Sequence, residues 1–373
     1  MQLAALSTVK HRLQVGAPLP FNVRDADHTL LLARGQQVDS HEHLEALLTR
    51  GALVDLSELQ TARDEILKAP REALPGLWTN CMAQVSQTLL QAGGERFGAA
   101  LETAAGPVQA LIERDPDLAI FQVLRRGANA DMAYGAHRSL QSAITSFLVA
   151  TRLAWEPAMT ERVFKVALTM NLSMLELQGQ LARQRTPPSD EQRAALRTHP
   201  MRSVRILEQA GVADADWLNA VLRHHEMEDG SGYPVGCTDV GELASLARRA
   251  DAYTSKLSSR STRDGLAADM AGRQMFMQDP GHPMTAALVK EFGIYPPGCH
   301  VRLASGELAV VVARGATITT PVVACLTNEL GLPLPAPVRR ETTARNHAVV
   351  AVVGEAHVAV RVPLERLLEA LAA

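Results

Sequence analysis

Between about residues 76 and 257, apolar residues recur every three or four positions in one segment after another. This spacing is typical of an α-helix with one buried face, because the helix turns once every 3.6 residues. The strongest segments are LWTNCMAQVSQTLLQA, SLQSAITSFLVATRLAW, ERVFKVALTMNLSMLELQGQLARQ and ELASLARRADAYTSKLSS. A chain with so many consecutive amphipathic segments buries its apolar faces most readily as a helical bundle, so we expect a mainly α fold.

Local signals suggest where several of these helices begin and end. Ser189 and Gln192 fit a capping box that starts the helix EQRAALRTH. Pro200 is expected to open a separate helix, MRSVRILEQAG, because proline suits the first helical turn. We also expect a break near Gly106 and Pro107, within GERFGAALETAAGPVQALIERD.

The two ends of the chain have a different pattern. Near the N-terminus, LPFNVRDADHTLLLARG predicts two short strands around the turn DADH; Ser40 caps a short helix, and LVDL is a possible strand. Near the C-terminus, VRLASGELAVVVARG predicts a hairpin with Ser305 and Gly306 at its turn. PVVACL, HAVVAVV and HVAVRV are expected to be further strands, and LERLLEALA a final helix.

These changes of pattern predict four parts. They are a small α/β module at 1–70, a helical connector at 71–125, a helical domain at 126–290, and a β-rich segment with a final helix at 291–373.

Composition excludes several classes of function. The 37 Lys and Arg residues and 40 Asp and Glu residues give a net charge of −3, which argues against binding a nucleic-acid polymer. The sequence has no run of about 18 apolar residues, so we expect no membrane span, and no secretory signal is evident. The four cysteines lie far apart without a CxxC pair, so we expect a reducing, cytoplasmic setting.

The chain contains 12 histidines, and their grouping matters more than their number. His41 and His43 lie two apart on a predicted helix, so they point to different faces and are poor metal ligands. Imidazole and carboxylate groups facing inward from separate helices can form a hydrolytic metal site. Candidate ligands on or beside the predicted central helices are His137, His199, His224, His225 and Asp251.

The adjacent histidines have a simpler alternative explanation. His224 and His225 stand where a helix gives way to a glycine-rich loop, so both rings could reach one cavity. The alternative is that they are cations near the negative end of a helix dipole, a contact that contributes about 0.3–1 kcal/mol.

The string HHEMEDGSGYP, from His224 to Pro234, resembles the signature of HD-GYP proteins, the HD-type metal-dependent phosphohydrolases that act on cyclic di-GMP in bacteria. His199 and Pro200 resemble the family's upstream HP pair, and ARRADAYTSKLSSRSTR resembles the segment with its last metal-binding aspartate, here Asp251. YPPGCHVRLASGELAVVV is similar to the β-rich tail of many members, and VGAPLPFNVRDADHTLLLARG to the leader module of some.

The resemblance implies a helical bundle that binds two or three metal ions, usually iron or manganese, and hydrolyses cyclic di-GMP. Metal ions in such a site polarise the phosphoryl group and generate hydroxide from bound water. Arg260 and Arg263, expected on the helix that follows Asp251, are candidate phosphate ligands, although a solvated helix face is an equal alternative. In the family the glycine-rich loop also contacts GGDEF cyclase domains; the corresponding residues here are Asp229, Gly230, Gly232, Tyr233 and Pro234.

The sequence departs from the family at the HD pair itself. The aligned residues are Met170 and Asn171, and the nearby family lysine is replaced by Met174. An asparagine offers one neutral carbonyl oxygen in place of a bridging carboxylate, and a thioether is a poor ligand for iron or manganese. The remaining candidate ligands could hold one ion or none.

Three functions follow as hypotheses. The chain could be an active phosphodiesterase, a weakened or inactive member that docks GGDEF partners through its loop, or a sensor that binds cyclic di-GMP without cleaving it. We favour the last two together, and a possible homodimer is compatible with each. The simpler alternative is a structural remnant in which the histidines are only hydrogen-bonded.

Overall fold

The computed structural model describes residues 3–55, 62–94, 96–124 and 133–354, and several single positions between 357 and 369. The chain divides into two compact units, Met1–Ala69 and Pro70–Ala373.

The first unit is a four-stranded antiparallel sheet with two helices. Its strands lie in the order β1-β4-β2-β3, with Val23 of β2 opposite Leu32 of β3 and Val54 of β4. Ser40 caps α1 by accepting a hydrogen bond from the His43 backbone, as predicted. The elements are β1 (Leu3–Ala5), β2 (Val23–Arg24), β3 (Leu30–Leu32), α1 (His41–Thr49), β4 (Leu53–Asp55) and α2 (Ala62–Lys68).

The second unit is mainly helical, which confirms the predicted fold class. Its helices are α3 (Leu74–Leu90), α4 (Phe97–Arg114), α5 (Pro116–Leu124), α6 (Tyr134–Arg152), α7 (Pro157–Thr169), α8 (Leu175–Arg183), α9 (Asp190–Gln209), α10 (Ala215–Arg223), α11 (Glu242–Leu257), α12 (Ala268–Gln278) and α13 (Pro283–Phe292). The helix α6 is buried along most of its length because α3, α5, α7, α8, α11 and α13 pack around it. Within the described residues, no helix is both long and apolar enough to cross a membrane.

A five-stranded antiparallel sheet follows the helices, in the order β8-β7-β6-β5-β9. Arg314, which follows β6, ties this sheet to the helices through ion pairs with Asp117 of α5 and Glu291 of α13. The turn between β5 and β6 contains Gly306, as predicted. The strands are β5 (His300–Leu303), β6 (Leu308–Ala313), β7 (Val322–Thr327), β8 (Pro333–Glu341) and β9 (Val349–Val353).

Two predicted helix breaks at proline are wrong. Pro107 lies inside α4 and Pro200 inside α9, and both helices continue through the proline. Proline removes one backbone hydrogen bond, but a well-packed helix can tolerate this loss when the freed carbonyl or the buried face is otherwise stabilised. Burial of Val108 and Leu111 stabilises α4, and the freed carbonyl beside Pro200 binds a side chain, as described below.

The predicted continuous helix over residues 161–184 is also wrong. The helix α7 ends at Thr169 and α8 begins at Leu175, with a short 3-10 turn at Leu172–Met174 between them. Ser173 explains the break, because its backbone N–H bonds Ser203 Oγ at 3.2 Å and its hydroxyl donates to the His199 carbonyl at 2.9 Å. These contacts with α9 replace intrahelical ones, and no local pattern signals them.

Some predictions fall where the structure describes little. The predicted boundary at 125/126 lies outside the described residues. Four positions of the predicted strand at 357–362 are described, namely 357, 358, 360 and 362, and none of them is in a strand, so the prediction is wrong there. In the final helix, 364–372, only residues 366, 367 and 369 are described, and each is helical.

Candidate functional site

Three of the predicted metal ligands converge at one place. His199 lies in the middle of α9, while His224 and His225 follow the last residue of α10. One nitrogen from each ring lies within 4.8 Å of the other two. His199 and His224 are almost fully buried, and His225 is partly exposed.

Backbone carbonyls orient two of these rings. His199 Nδ1 lies 2.7 Å from the Leu196 carbonyl, and His224 Nδ1 lies 2.7 Å from the Val221 carbonyl. Because a carbonyl oxygen can only accept, each Nδ1 carries the proton and each Nε2 presents a lone pair. Pro200 leaves the Leu196 carbonyl without a backbone competitor for this bond, since proline has no N–H to donate to it.

The two Nε2 atoms of His199 and His224 are 3.0 Å apart. Two lone pairs at this distance repel each other unless a cation lies between them. Two imidazoles at adjacent positions on one ion, each about 2.1 Å from it, have nitrogens about 3 Å apart. The three-histidine cluster therefore fits one metal ion.

Burial keeps these imidazoles neutral. Burial first, and then the charge of a neighbouring ring, lowers the pKa of His199, His224 and His225 to about 3. Neutral imidazole is the form that binds a metal. The three imidazoles can therefore bind a metal cation, because they do not bind protons at neutral pH.

Asp251 lies close to the cluster but is engaged elsewhere. Its Oδ1 accepts a hydrogen bond from Arg138 Nη2 at 2.9 Å and one from Ser142 Oγ at 3.2 Å. Arg138 also contacts the Asp251 carbonyl at 3.3 Å and Ser258 Oγ at 3.2 Å. A buried guanidinium thus neutralises the carboxylate that the resemblance assigns to metal binding.

The other predicted ligand positions do not join the cluster. His137 lies on α6, beside Arg138 and outside the group of three imidazoles. Met170 and Asn171 are fully buried, and neither polar atom of the Asn171 side chain has a hydrogen-bond partner among the described residues. A carboxylate at this position would carry charge for a second ion, whereas this amide supplies none. The residues present therefore do not fit a two-metal site.

The GYP loop, residues 226–237, is built around a buried carboxylate. Glu226 is fully buried, and its two oxygens accept hydrogen bonds from the backbone amides of Val235, Gly236 and Cys237 at 2.7–3.1 Å. Hydrogen bonds to a charged acceptor are worth about 1.5–3 kcal/mol each. Glu226 therefore stabilises the loop immediately after the two histidines.

The predicted partner-binding residues all lie in this loop. Asp229 accepts from the Ser231 backbone at 2.9 Å and from its hydroxyl at 2.6 Å, so it stabilises a local turn. A Cβ atom at Gly232 would lie 2.4 Å from the Glu226 Cα, so only glycine fits there. Tyr233 stacks on the His225 ring with centroids 4.6 Å apart, and burial, then the charge of Asp251, raises its pKa to about 12.

The predicted helix around Arg260 and Arg263 is wrong. The helix α11 ends at Leu257, and the two arginines face each other across a tight turn through backbone hydrogen bonds of 2.8 and 3.1 Å. The turn is held because the Ser261 N–H bonds the Ala182 carbonyl at 2.7 Å. Arg260 lines the cleft described next, whereas Arg263 is outside its lining and donates to the Ser255 carbonyl at 2.8 Å.

A cleft of about 460 Å³ opens beside His199 and His225. Its charged lining consists of the arginines Arg138, Arg185 and Arg260 and one carboxylate, Asp251. Tyr134, Tyr233 and Met174 add aromatic and apolar surface. The charged groups of the cleft lining are therefore mostly positive and lie beside aromatic rings, although the net charge of the whole chain is slightly negative.

A curated protein is similar to part of this chain. No family model matches the chain. Over 139 residues it is 35% identical to the cyclic di-GMP phosphodiesterase PA4108 of Pseudomonas aeruginosa, which covers 36% of this chain and 33% of that protein. The chain thus spans about a third of the length of the curated relative that it matches.

A structural relative supports the fold. Bd1817, an HDG"Y"P protein from Bdellovibrio bacteriovorus, superposes with a TM-score of 0.50 at 16% sequence identity and covers 77% of this chain and 98% of its own. The helical fold, the HHEMEDGSGYP string and the similarity to PA4108 over 139 residues together support placing the chain among HD-GYP proteins. Met170 and Asn171 stand where the resemblance places the HD pair of such proteins.

Sequence reasoning missed three residues that shape the site. Arg138 pairs with Asp251, Glu226 organises the loop, and Arg185 lines the cleft. Glu226 lies within the matched string, so its position was a usable signal. Arg138 and Arg185 carried none, because their neighbours come from distant parts of the chain.

Proposed function

We propose that this chain is a cyclic di-GMP receptor that binds the nucleotide in the cleft beside His199 and His225 and has weak or no phosphodiesterase activity. The positive cleft carries this proposal, because three arginines face one carboxylate there. Guanidinium groups bind phosphates through paired, directional hydrogen bonds. Tyr134 and Tyr233 add aromatic faces on which a guanine can stack.

The nucleotide is proposed from family and chemistry together. The relative PA4108 is named as a cyclic di-GMP phosphodiesterase, and this chain shares 35% of its residues over the matched segment. Two phosphates and two purines complement a lining of arginines and tyrosines.

Weak hydrolysis is proposed from the composition of the metal site. Hydrolysis by a metal pair depends on ions that stabilise both the attacking and the leaving oxygen. Here Asn171 supplies no bridging carboxylate, and Asp251 is paired with Arg138. One ion on the three histidines would be iron or manganese by family resemblance, and by itself it does not form such a pair.

Calorimetry with cyclic di-GMP tests the receptor, and chromatography of the same mixture tests the enzyme. We expect binding with or without added Mn²⁺ and no accumulation of linear dinucleotide or GMP. Release of linear product by the chain reconstituted with Fe²⁺ or Mn²⁺ would establish the alternative, an active phosphodiesterase. Absence of binding heat under both conditions would refute the receptor.

The turn between the two arginines provides a matched pair of variants. Arg260→Ala removes a charged group from the cleft lining, and a hydrogen bond to a charged group is worth about 1.5–3 kcal/mol. We therefore expect nucleotide binding to weaken about 10- to 100-fold. Arg263→Ala removes the same charge from the same turn but outside the lining, so its effect should stay below about threefold.

Docking of a GGDEF-domain protein through the GYP loop is a second candidate function. One observation favours it: Val235, next to Pro234, is 73% exposed, although the loop around it is tightly hydrogen-bonded. An exposed apolar side chain on a well-ordered loop is suited to a protein contact. Val235→Asp should abolish capture of a GGDEF domain and leave nucleotide binding unchanged; if capture is unchanged, docking is refuted.

A further inference from the structure

We infer that Arg138 is a built-in cation that occupies the charge position of a second metal ion at Asp251, so that the site holds at most one ion, on His199, His224 and His225. The inference deepens the proposed function and rests on it only for the location of the site. Its test contains metal alone and no nucleotide, so its failure and that of the receptor are distinguishable.

The burial of Arg138 is the first observation. Only 5% of its side chain is exposed, and an arginine guanidinium does not lose its proton in a protein. A buried charge is tolerated only when it is paired and hydrogen-bonded. The carboxylate that pairs with Arg138 in the described structure is Asp251, so Arg138 depends on Asp251 for its compensation.

The geometry of the pair is the second observation. Arg138 holds Asp251 at two points, the Oδ1 atom at 2.9 Å and the main-chain carbonyl at 3.3 Å, and its other amino group binds Ser258 Oγ at 3.2 Å. Ser142 donates to the same Oδ1. The carboxylate is therefore fixed by groups on α6, and an ion bound to it would have a guanidinium as its neighbour.

The charge of the surroundings is the third observation. A divalent ion is repelled by a cation a few ångströms away, and the repulsion is strong where water is excluded. Asn171 is neutral, and Asp251 is cancelled by Arg138, so no uncompensated negative charge comes from either residue. The three neutral imidazoles are separate from this pair and can still hold an ion.

The test is Mn²⁺ titration of the full chain by calorimetry, with the bound metal counted after desalting. We expect the wild-type chain to bind no more than one ion, and Arg138→Gln to bind an additional ion or to bind Mn²⁺ at least tenfold more tightly. Arg138→Lys keeps the charge and should behave as wild type. In the double variant Arg138→Gln, Asp251→Asn the gain should disappear.

A second measurement decides the matter if Arg138→Gln does not fold. Asp251→Asn in the wild-type background should change Mn²⁺ affinity less than threefold, because Asp251 is not a ligand there. His225→Gln should weaken binding at least tenfold wherever the wild type binds an ion. Two ions in the wild-type chain, a tenfold loss of affinity in Asp251→Asn, or a folded Arg138→Gln without any gain would each overturn the inference.

Discussion

Replacing Glu226 by glutamine should open the GYP loop without unfolding the chain. The carboxylate accepts the backbone N–H groups of Val235, Gly236 and Cys237, and glutamine turns one of its two oxygens into a donor. At least one charge-assisted hydrogen bond is then lost, and the new amide N–H group faces a backbone N–H of the loop where water cannot reach either donor. A bond of this kind is worth about 1.5–3 kcal/mol, and an unsatisfied buried group costs about 1–3 kcal/mol more.

The expected loss of local stability is therefore about 3–5 kcal/mol, or at least about a 100-fold fall in protection of the loop amides from hydrogen exchange. Exchange measured by mass spectrometry on peptides covering residues 226–240 reports this directly. Glu228→Gln is the matched control: Glu228 is also a carboxylate of this segment, but it pairs with side chains, Ser245 and Arg248, and is partly exposed. Protection in Glu226→Gln within tenfold of the control would refute this account of the loop.

Three further predictions concern the histidines and the loop. Burial lowers the pKa of His199, His224 and His225 to about 3, whereas the unfolded imidazoles protonate near 6.5. Between these two pH values the unfolded state therefore binds more protons than the folded state. In the absence of metal, the free energy of unfolding should decrease as the pH is lowered from 6.5, by at most about 4 kcal/mol per pH unit for the three histidines. Urea titrations that show no decrease between pH 6.5 and pH 5 would contradict this. Gly232→Ala would place a methyl 2.4 Å from backbone atoms and should destabilise the chain by about 3 kcal/mol in urea unfolding, and an unchanged midpoint would count against it. Pro200→Ala restores a backbone donor that competes with His199 Nδ1 for the Leu196 carbonyl, so Mn²⁺ should bind about tenfold more weakly, while the added helical hydrogen bond leaves the melting temperature unchanged or raises it; unaltered affinity would disprove this role of the proline.

Local signals in the sequence predicted much of the fold. Ser189 and Gln192 form the capping box at the start of α9, and Ser40 caps α1. These predictions succeeded because a cap depends on residues three positions apart. The predictions at Pro107 and Pro200 failed because the packing of a long helix outweighs one missing hydrogen bond.

Some residues of the candidate site were predicted correctly and others were not, because contacts between distant parts of the chain again outweigh local signals. His199, His224 and His225 were found and do converge. The expected helix around Arg260 is a turn, since a contact with the distant Ala182 holds it. The role of His137 as a ligand stays a prediction.

The sequence by itself determined the periodicity that makes the chain mainly helical, the HHEMEDGSGYP string from His224 to Pro234, and the presence of Met170 and Asn171 where the resemblance expects an HD pair. Each of these can be read from residues that are neighbours in the chain. The tertiary structure alone decided that two Nε2 lone pairs meet at 3.0 Å and that Arg138 pairs with Asp251, 113 positions away. Such contacts arise only when separate helices pack, because the charge and orientation of each group are set by what the fold brings beside it.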